Sequence, residues 1–158
     1  MKKYEMTNES IEFIGVKLFR IRALQDFRDV KAGDLGGYIE KEENLSQYGN
    51  AWVHGNARVY GDARVYGDAR VYGDAWVHGD AWVYKNTHLL QIGAIGSRDG
   101  ITTFFRTKHK EIYVSCGCFT GDIEKFEKAV EEEHKGTKHE KTYKLAIELA
   151  KLQIDLED

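Results

Sequence analysis

The chain has no proline and only two cysteines, Cys116 and Cys118, among its 158 residues. Without proline no bend is set by a locked φ, so turns must come from glycine, asparagine and aspartate, which tolerate left-handed backbone. The two thiols stand one residue apart, too close to staple distant segments, which excludes a disulfide framework. No apolar run approaches the roughly 18 residues of a membrane-spanning helix. The opening MKKYEMTNESIEF contains no apolar core of a secretory leader, and a soluble cytoplasmic protein is expected. An excess of positive charge is also missing, since the formal net charge is −3. That excludes nucleic-acid binding by bulk basicity but leaves room for a local cationic pocket.

What is present in abundance is one six-residue unit, in YGDARVYGDARVYGDAWVHGDAWVY at residues 60–84. Its valines are Val53, Val59, Val65, Val71, Val77 and Val83, followed by Leu89, and a small residue follows each valine at the fourth place. Each unit reads as a short strand such as Arg64-Val65-Tyr66, valine inward, then a Gly-Asp-Ala corner. Three such edges close a triangular coil of about 18 residues, and successive coils stack as parallel β. That stacking sets Val53, Val71 and Leu89 above one another, Val59 with Val77, and Val65 with Val83. Outside, Arg58 lies over Trp76, Arg64 over Trp82 and Trp52 over Arg70, while Tyr60 stacks with His78 and Tyr66 with Tyr84. Such ladders stabilise an exterior face or form a subunit interface. A calcium-binding β-roll is the nearest competitor, but its nine-residue period and paired glycines do not match, so the corner aspartates are expected to bond to their own turns.

The flanks are irregular. SIEFIGVKLFRIRAL reads as two strands around Ile14-Gly15, with Leu18, Arg20 and Arg22 on one face and Phe19, Ile21 and Ala23 on the other. Ile39 and Leu45 are already six apart, and a two-residue excess before Val53 marks an irregular first coil. After Leu89 come a strand, a turn at Ser97–Gly100, the strands ITTFFRT and EIYVSCGCF, and two helices. The first helix, from about 122 to 135, is capped by Thr120 or Asp122 and ended by Gly136; the second carries Tyr143, Ala146, Ile147, Leu149, Ala150 and Ile154. The expected division is a β cap at 1–44, a solenoid at 45–92 and an α+β (ββαα-like) module at 93–158. The fold class is mainly β.

The hexads resemble those of left-handed parallel β-helices, which implies a short left-handed solenoid and, by analogy, a homotrimer. Taken with GDLGGYIEKEENLS, IGSRDGITTFFRT and CGCFTGDIEKFEKAV, they resemble a family of phage and prophage hexapeptide-repeat proteins across nearly the whole chain. Members are often labelled transferases from the repeat alone, so the resemblance implies a fold more firmly than an activity.

Three groups of residues are candidates for chemistry. The repeat also resembles that of acyl- and acetyltransferases, whose wall histidine acts as a base; His54, His78 and His88 are the candidates here. His54 and His78 stand where sister units carry tyrosine, and the long loop that commonly builds an acceptor pocket is missing, which counts against catalysis. Cys116 and Cys118, with His134 and His139, form a second group. Alternation within one strand puts both sulfurs on one face, yet Cys-x-Cys is not the usual zinc spacing, and reduced, packed thiols without metal are expected. The third is an anion pocket at Arg98, Thr102, Thr103, Phe104, Arg106 and Lys108. Arginine forks match phosphate, threonines complete the hydrogen bonding, and an aromatic face can stack on a base. The opposing expectation is core phenylalanines with solvated flanking charges.

The phage context and this third group together point to a non-catalytic protein, without cofactor, that sequesters a small phosphorylated, nucleotide-like immune-signalling ligand in the host cytoplasm. An acyl- or acetyltransferase using a coenzyme A thioester is the first alternative, and a structural or adaptor solenoid the second. No membrane partner and no bulk nucleic acid are expected.

Overall fold

The hexads form two-residue strands that pair in parallel, each with the strand three units ahead. In the computed structural model, which describes residues 1–157, these are β4 (Trp52–Val53), β5 (Arg58–Val59), β6 (Arg64–Val65), β7 (Arg70–Val71), β8 (Trp76–Val77) and β9 (Trp82–Val83). They are preceded by β1 (Tyr4–Phe13), β2 (Val16–Ala23) and β3 (Leu35–Ile39). Three parallel ladders result: β3-β5-β8, β4-β7 and β6-β9, the last extended by a bridge from Leu45 to Val65. Val53 pairs with Val71 and Val59 with Val77, whereas Ile39 pairs with Val59, so the first coil holds two residues more than the next.

The composition of the unit explains this winding. Every hexad valine and corner alanine from Ala51 to Val83 is buried. Each corner is a β-turn in which the alanine N–H donates to the carbonyl three residues back, as Ala57 does to His54 at 3.1 Å. The glycine at the second position takes φ near +65°, for example +66° at Gly61, which a side chain would strain. Around the outside, Tyr60 and His78 stack with centroids 5.0 Å apart, and Tyr66 and Tyr84 at 4.9 Å.

The amino-terminal strands close one side. β1 pairs antiparallel with β2, β2 with β3, and β3 joins the first parallel ladder, giving the order β1-β2-β3-β5-β8. Leu18 on one face and Ile21 and Ala23 on the other are all buried, so β2, an inner strand, is covered on both faces; the β2–β3 register shifts between Arg20 and Arg22. The exterior rows are also unequal. Trp52 is buried by Tyr4 and Phe27, ring centroids 6.3 and 5.3 Å away, and Phe13 lies 4.6 Å from Trp76. Arg58 sits 4.2 Å above the Phe13 ring. The amino-terminal segment thus covers much of the aromatic surface that the repeat alone leaves outside.

The chain forms two compact units, Met1–Asn86 and Thr87–Asp158. In the second, β10 (Leu89–Ile95), β11 (Gly100–Arg106), β12 (Ile112–Cys116) and β13 (Phe119–Asp122) form an antiparallel meander in chain order. Leu89, six residues beyond Val83, pairs with Phe105 in this meander. Helices α1 (Ile123–Glu133) and α2 (Lys138–Gln153) follow. Asp122 caps α1 by accepting from the Lys125 N–H at 2.8 Å. Thr137 caps α2 through Glu140. Both pack on one face of the sheet around Phe104, Val114, Phe126, Val130, Ile147 and Ala150. Leu149 does not join this core; it is exposed, as are Leu145 and Leu152 on the same side of α2.

Candidate functional site

The meander places two tight turns at one end of the sheet. The β10–β11 turn carries Ser97, Arg98 and Asp99; the β12–β13 turn is Gly117-Cys118, with Cys116 paired to Phe119. Beside these turns lies a groove of about 260 Å³, lined among others by Ser97, Arg98, Cys116, Cys118, His134 and Tyr143. Phe119, Phe126 and Glu133 also line it. Three features far apart in the chain, SRDG, CGC and the α1–α2 junction, therefore meet in one recess.

Tyr143 organises the floor. Its ring packs edge-on against Phe126 at 5.6 Å and lies 5.5 Å from the ring of His134. Thr102 Oγ1 donates to Cys116 Sγ at 3.3 Å, and Cys116 Sγ donates to Tyr143 Oη at 3.6 Å. Burial, then the bond from Cys116, pushes the Tyr143 phenol well above its ordinary range, so it stays protonated at neutral pH. Gly96 lies so close that a Cβ there would meet Tyr143 Oη at 2.0 Å. The turn bearing Arg98 thus rests on the tyrosine hydroxyl.

The anion-pocket residues separate. Arg98 is exposed on the groove rim. Thr102, Phe104 and Arg106 do share a face, as alternation predicts, but it is the face that carries the helical core, and all three are buried. Thr103 occupies the opposite face and is buried too. Phe104 lies 6.1 Å from Phe126 inside the core and offers no ring to a ligand. Lys108 is exposed in the β11–β12 turn, at the other end of the strand from Arg98. The reason is the position of β11, between β10 and β12. An inner strand with both faces buried reads as an unbroken apolar and small-polar run, which ITTFF is.

The thiols and histidines also move from their expected places. Cys116 ends β12, but Gly117 and Cys118 form the hairpin loop, so the sulfurs do not share a strand face. His134 and His139 lie near one another, ring centroids 5.7 Å apart, and only His134 lines the groove. Among the described residues no group of three or more His, Cys, Asp or Glu side chains could hold a metal ion. On the solenoid, His54 is half-buried near the Arg70–Asp29 ion pair, and burial followed by the Arg70 charge lowers its pKa. Burial lowers that of His78. His88 is fully buried.

A second recess, of about 510 Å³, lies on the first unit between Glu43, Tyr48, Arg64, Tyr66 and Trp82. Arg64, Tyr66 and Trp82 of the repeat exterior line it together with residues of the 42–48 segment.

Two comparisons bear on the chain. Residues 57–69 and 63–79 match the family described as YdcK Beta solenoid repeat. Over 62 residues the chain is 39% identical to a protein of Escherichia coli (strain K12) described as an uncharacterized acetyltransferase YdcK; the alignment takes in 34% of this chain and 19% of that relative. The chain therefore spans about a fifth of the length of the curated relative it matches. The repeat is of the hexapeptide-repeat, β-solenoid kind. No helix among the described residues is long and apolar enough to cross a membrane.

Proposed function

We propose that the second unit binds a small phosphorylated, ring-bearing ligand of the nucleotide class in its groove and holds it unchanged. The observation that carries this reading is the meeting of a rim arginine, a hydroxyl, two tight turns and an aromatic wall in one recess. Arg98 supplies a fork for phosphate, and Ser97 and the turn backbone add donors. His134 and Phe119 offer ring faces for stacking. The recess suits one ring or one phosphate-bearing portion, the remainder lying in solvent. In this reading the hexapeptide solenoid is a left-handed scaffold, the amino-terminal strands cap it, and copies assemble as a trimer that multiplies the sites. Capture of a host immune signal by a phage protein is the setting that the sequence resemblance implies.

The test is mass spectrometry of small molecules released from protein incubated with lysate of immune-activated cells. Titration of linear and cyclic nucleotides against wild type and Arg98→Ala follows. Recovery of an intact nucleotide and a weakened variant support the reading; equal affinity of the two proteins overturns it.

Acyl transfer is the second reading, favoured by the printed description of the relative and by half-buried His54 on the solenoid wall. Its lowered pKa leaves the imidazole neutral and able to accept a proton at neutral pH. Co-purifying coenzyme A, or loss of acetyl transfer in His54→Ala, would support it.

A further inference from the structure

We propose that Cys116 and Cys118 form a reversible dithiol–disulfide site, with a low-molecular-weight disulfide such as oxidised glutathione as co-reactant. Three observations support it. Both cysteines are free, with Cys116 half-buried and Cys118 exposed. They are the first and third residues of the four-residue turn from Cys116 to Phe119, whose second residue, Gly117, has φ +59°. Glycine with positive φ at the first central position is the type II′ arrangement, and such a turn keeps the Cα atoms on either side of the glycine within the roughly 7 Å limit for a disulfide. An ideal Cβ on Gly117 would meet nothing within 4 Å, so the loop has room to adjust as the small ring closes.

The third observation is the asymmetry of the two thiols. Cys118 faces solvent and is the natural first reactant; Cys116 is half-buried and held in place by the hydrogen bond from Thr102 Oγ1. The Cys118 thiolate attacks one sulfur of the glutathione disulfide, forming a mixed disulfide and releasing one glutathione thiolate. The Cys116 thiolate then attacks the Cys118 sulfur, closing the internal bond and releasing the second glutathione. Two thiol protons leave, the protein loses two electrons, and one glutathione disulfide is reduced.

The site matters because of what Cys116 touches. Oxidation removes the S–H that Cys116 donates to Tyr143 Oη, and draws the sulfur toward the rim. Tyr143 abuts Gly96, two residues from Arg98, and packs on Phe126 and His134. The disulfide therefore reshapes the floor and the arginine-bearing rim together. This consequence rests on the ligand reading above; the thiol chemistry does not.

The experiment incubates the full-length protein with oxidised glutathione, quenches with an alkylating agent and reads intact mass and peptide maps. Wild type should end with an internal disulfide and no adduct. Cys116→Ser should stop at a stable glutathione adduct on Cys118, and Cys118→Ser should react far more slowly. Wild type that ends as the adduct, as a cross-linked dimer or unmodified overturns the dithiol site. Nucleotide titration of reduced and oxidised protein follows, with at least a tenfold weaker affinity expected on oxidation. Equal affinities would overturn the coupling alone. Failure of both forms to bind any nucleotide would count against the ligand reading and leave the mass data to decide the thiol site.

Discussion

Trp52 and Trp82 occupy the same position of the repeat, yet Trp52 is 2% exposed and Trp82 is 38% exposed. The difference lies in what covers them: Tyr4 and Phe27 enclose Trp52, whereas Trp82 borders the open recess with Tyr48, Tyr66 and Arg64. Truncating Trp52 to alanine should therefore cost about 3–5 kcal/mol of folding stability, the range for a buried aromatic. Trp82→Ala should cost under about 1 kcal/mol in the monomer and, on the trimer proposed above, should weaken subunit association, because exposed aromatics beside arginine are what subunit interfaces use. Chemical denaturation and light scattering on the two variants check both halves.

Gly37 offers a sharper test of the first coil. A Cβ there would lie 2.5 Å from the Ala57 carbonyl oxygen and 2.7 Å from a Val53 methyl. Since the closest obstacle is backbone, Gly37→Ala should destabilise by about 1–3 kcal/mol or more. Gly117→Ala meets no neighbour; its cost should come from the positive φ alone, about 1–2 kcal/mol. Thermal melts of the two variants side by side distinguish crowding from backbone strain.

Lys3 gives a pH dependence. Its ammonium is buried and donates to the Ala51 carbonyl at 2.7 Å, and burial lowers its pKa to about 8. The unfolded chain keeps this proton to about pH 10.4. Between the two values the unfolded state binds more protons than the fold, so stability rises with pH through that window. Below about pH 8 the whole cost of burying the charge is present. The stability difference between wild type and Lys3→Met should thus shift in favour of wild type from about pH 8 to 9.5. A difference that stays flat would mean the ammonium is as well solvated as in the unfolded chain.

Arg98 and Arg106 should respond in opposite ways. Arg98→Ala, at an exposed rim, should leave the melting temperature within a degree or two but weaken nucleotide binding by about tenfold or more, the value of a charge-assisted bond to phosphate. Arg106 is 2% exposed and sits beside the helical core, so Arg106→Ala should lower the melting temperature by several degrees. Calorimetry of unfolding and of binding on both variants supplies the comparison.

Much of the solenoid was legible in the chain because its determinants are local. A valine, an alanine and a positive-φ glycine recur within each six residues, and each acts on its own turn or on the coil it stacks against. The parallel pairing of Val53 with Val71 and the Tyr60–His78 and Tyr66–Tyr84 stacks follow from that period alone. The candidate site was less legible. Arg98, Cys116, Cys118 and His134 were visible as separate signals, but nothing in their spacing joins them. The burial of Thr102, Phe104 and Arg106 follows from β11 lying inside a sheet, which depends on residues up to fifty positions away.

The order of residues by itself pointed to stacked three-edged coils over residues 53 to 83, since an inward valine and a tight glycine corner recur every six residues. Tertiary packing decided the rest: which tryptophan is covered, which end of the meander gathers the arginine, the thiols and the tyrosine, and which face of β11 meets the helices. Those outcomes depend on strand register and helix docking, interactions between distant segments whose energies appear only when the chain closes on itself.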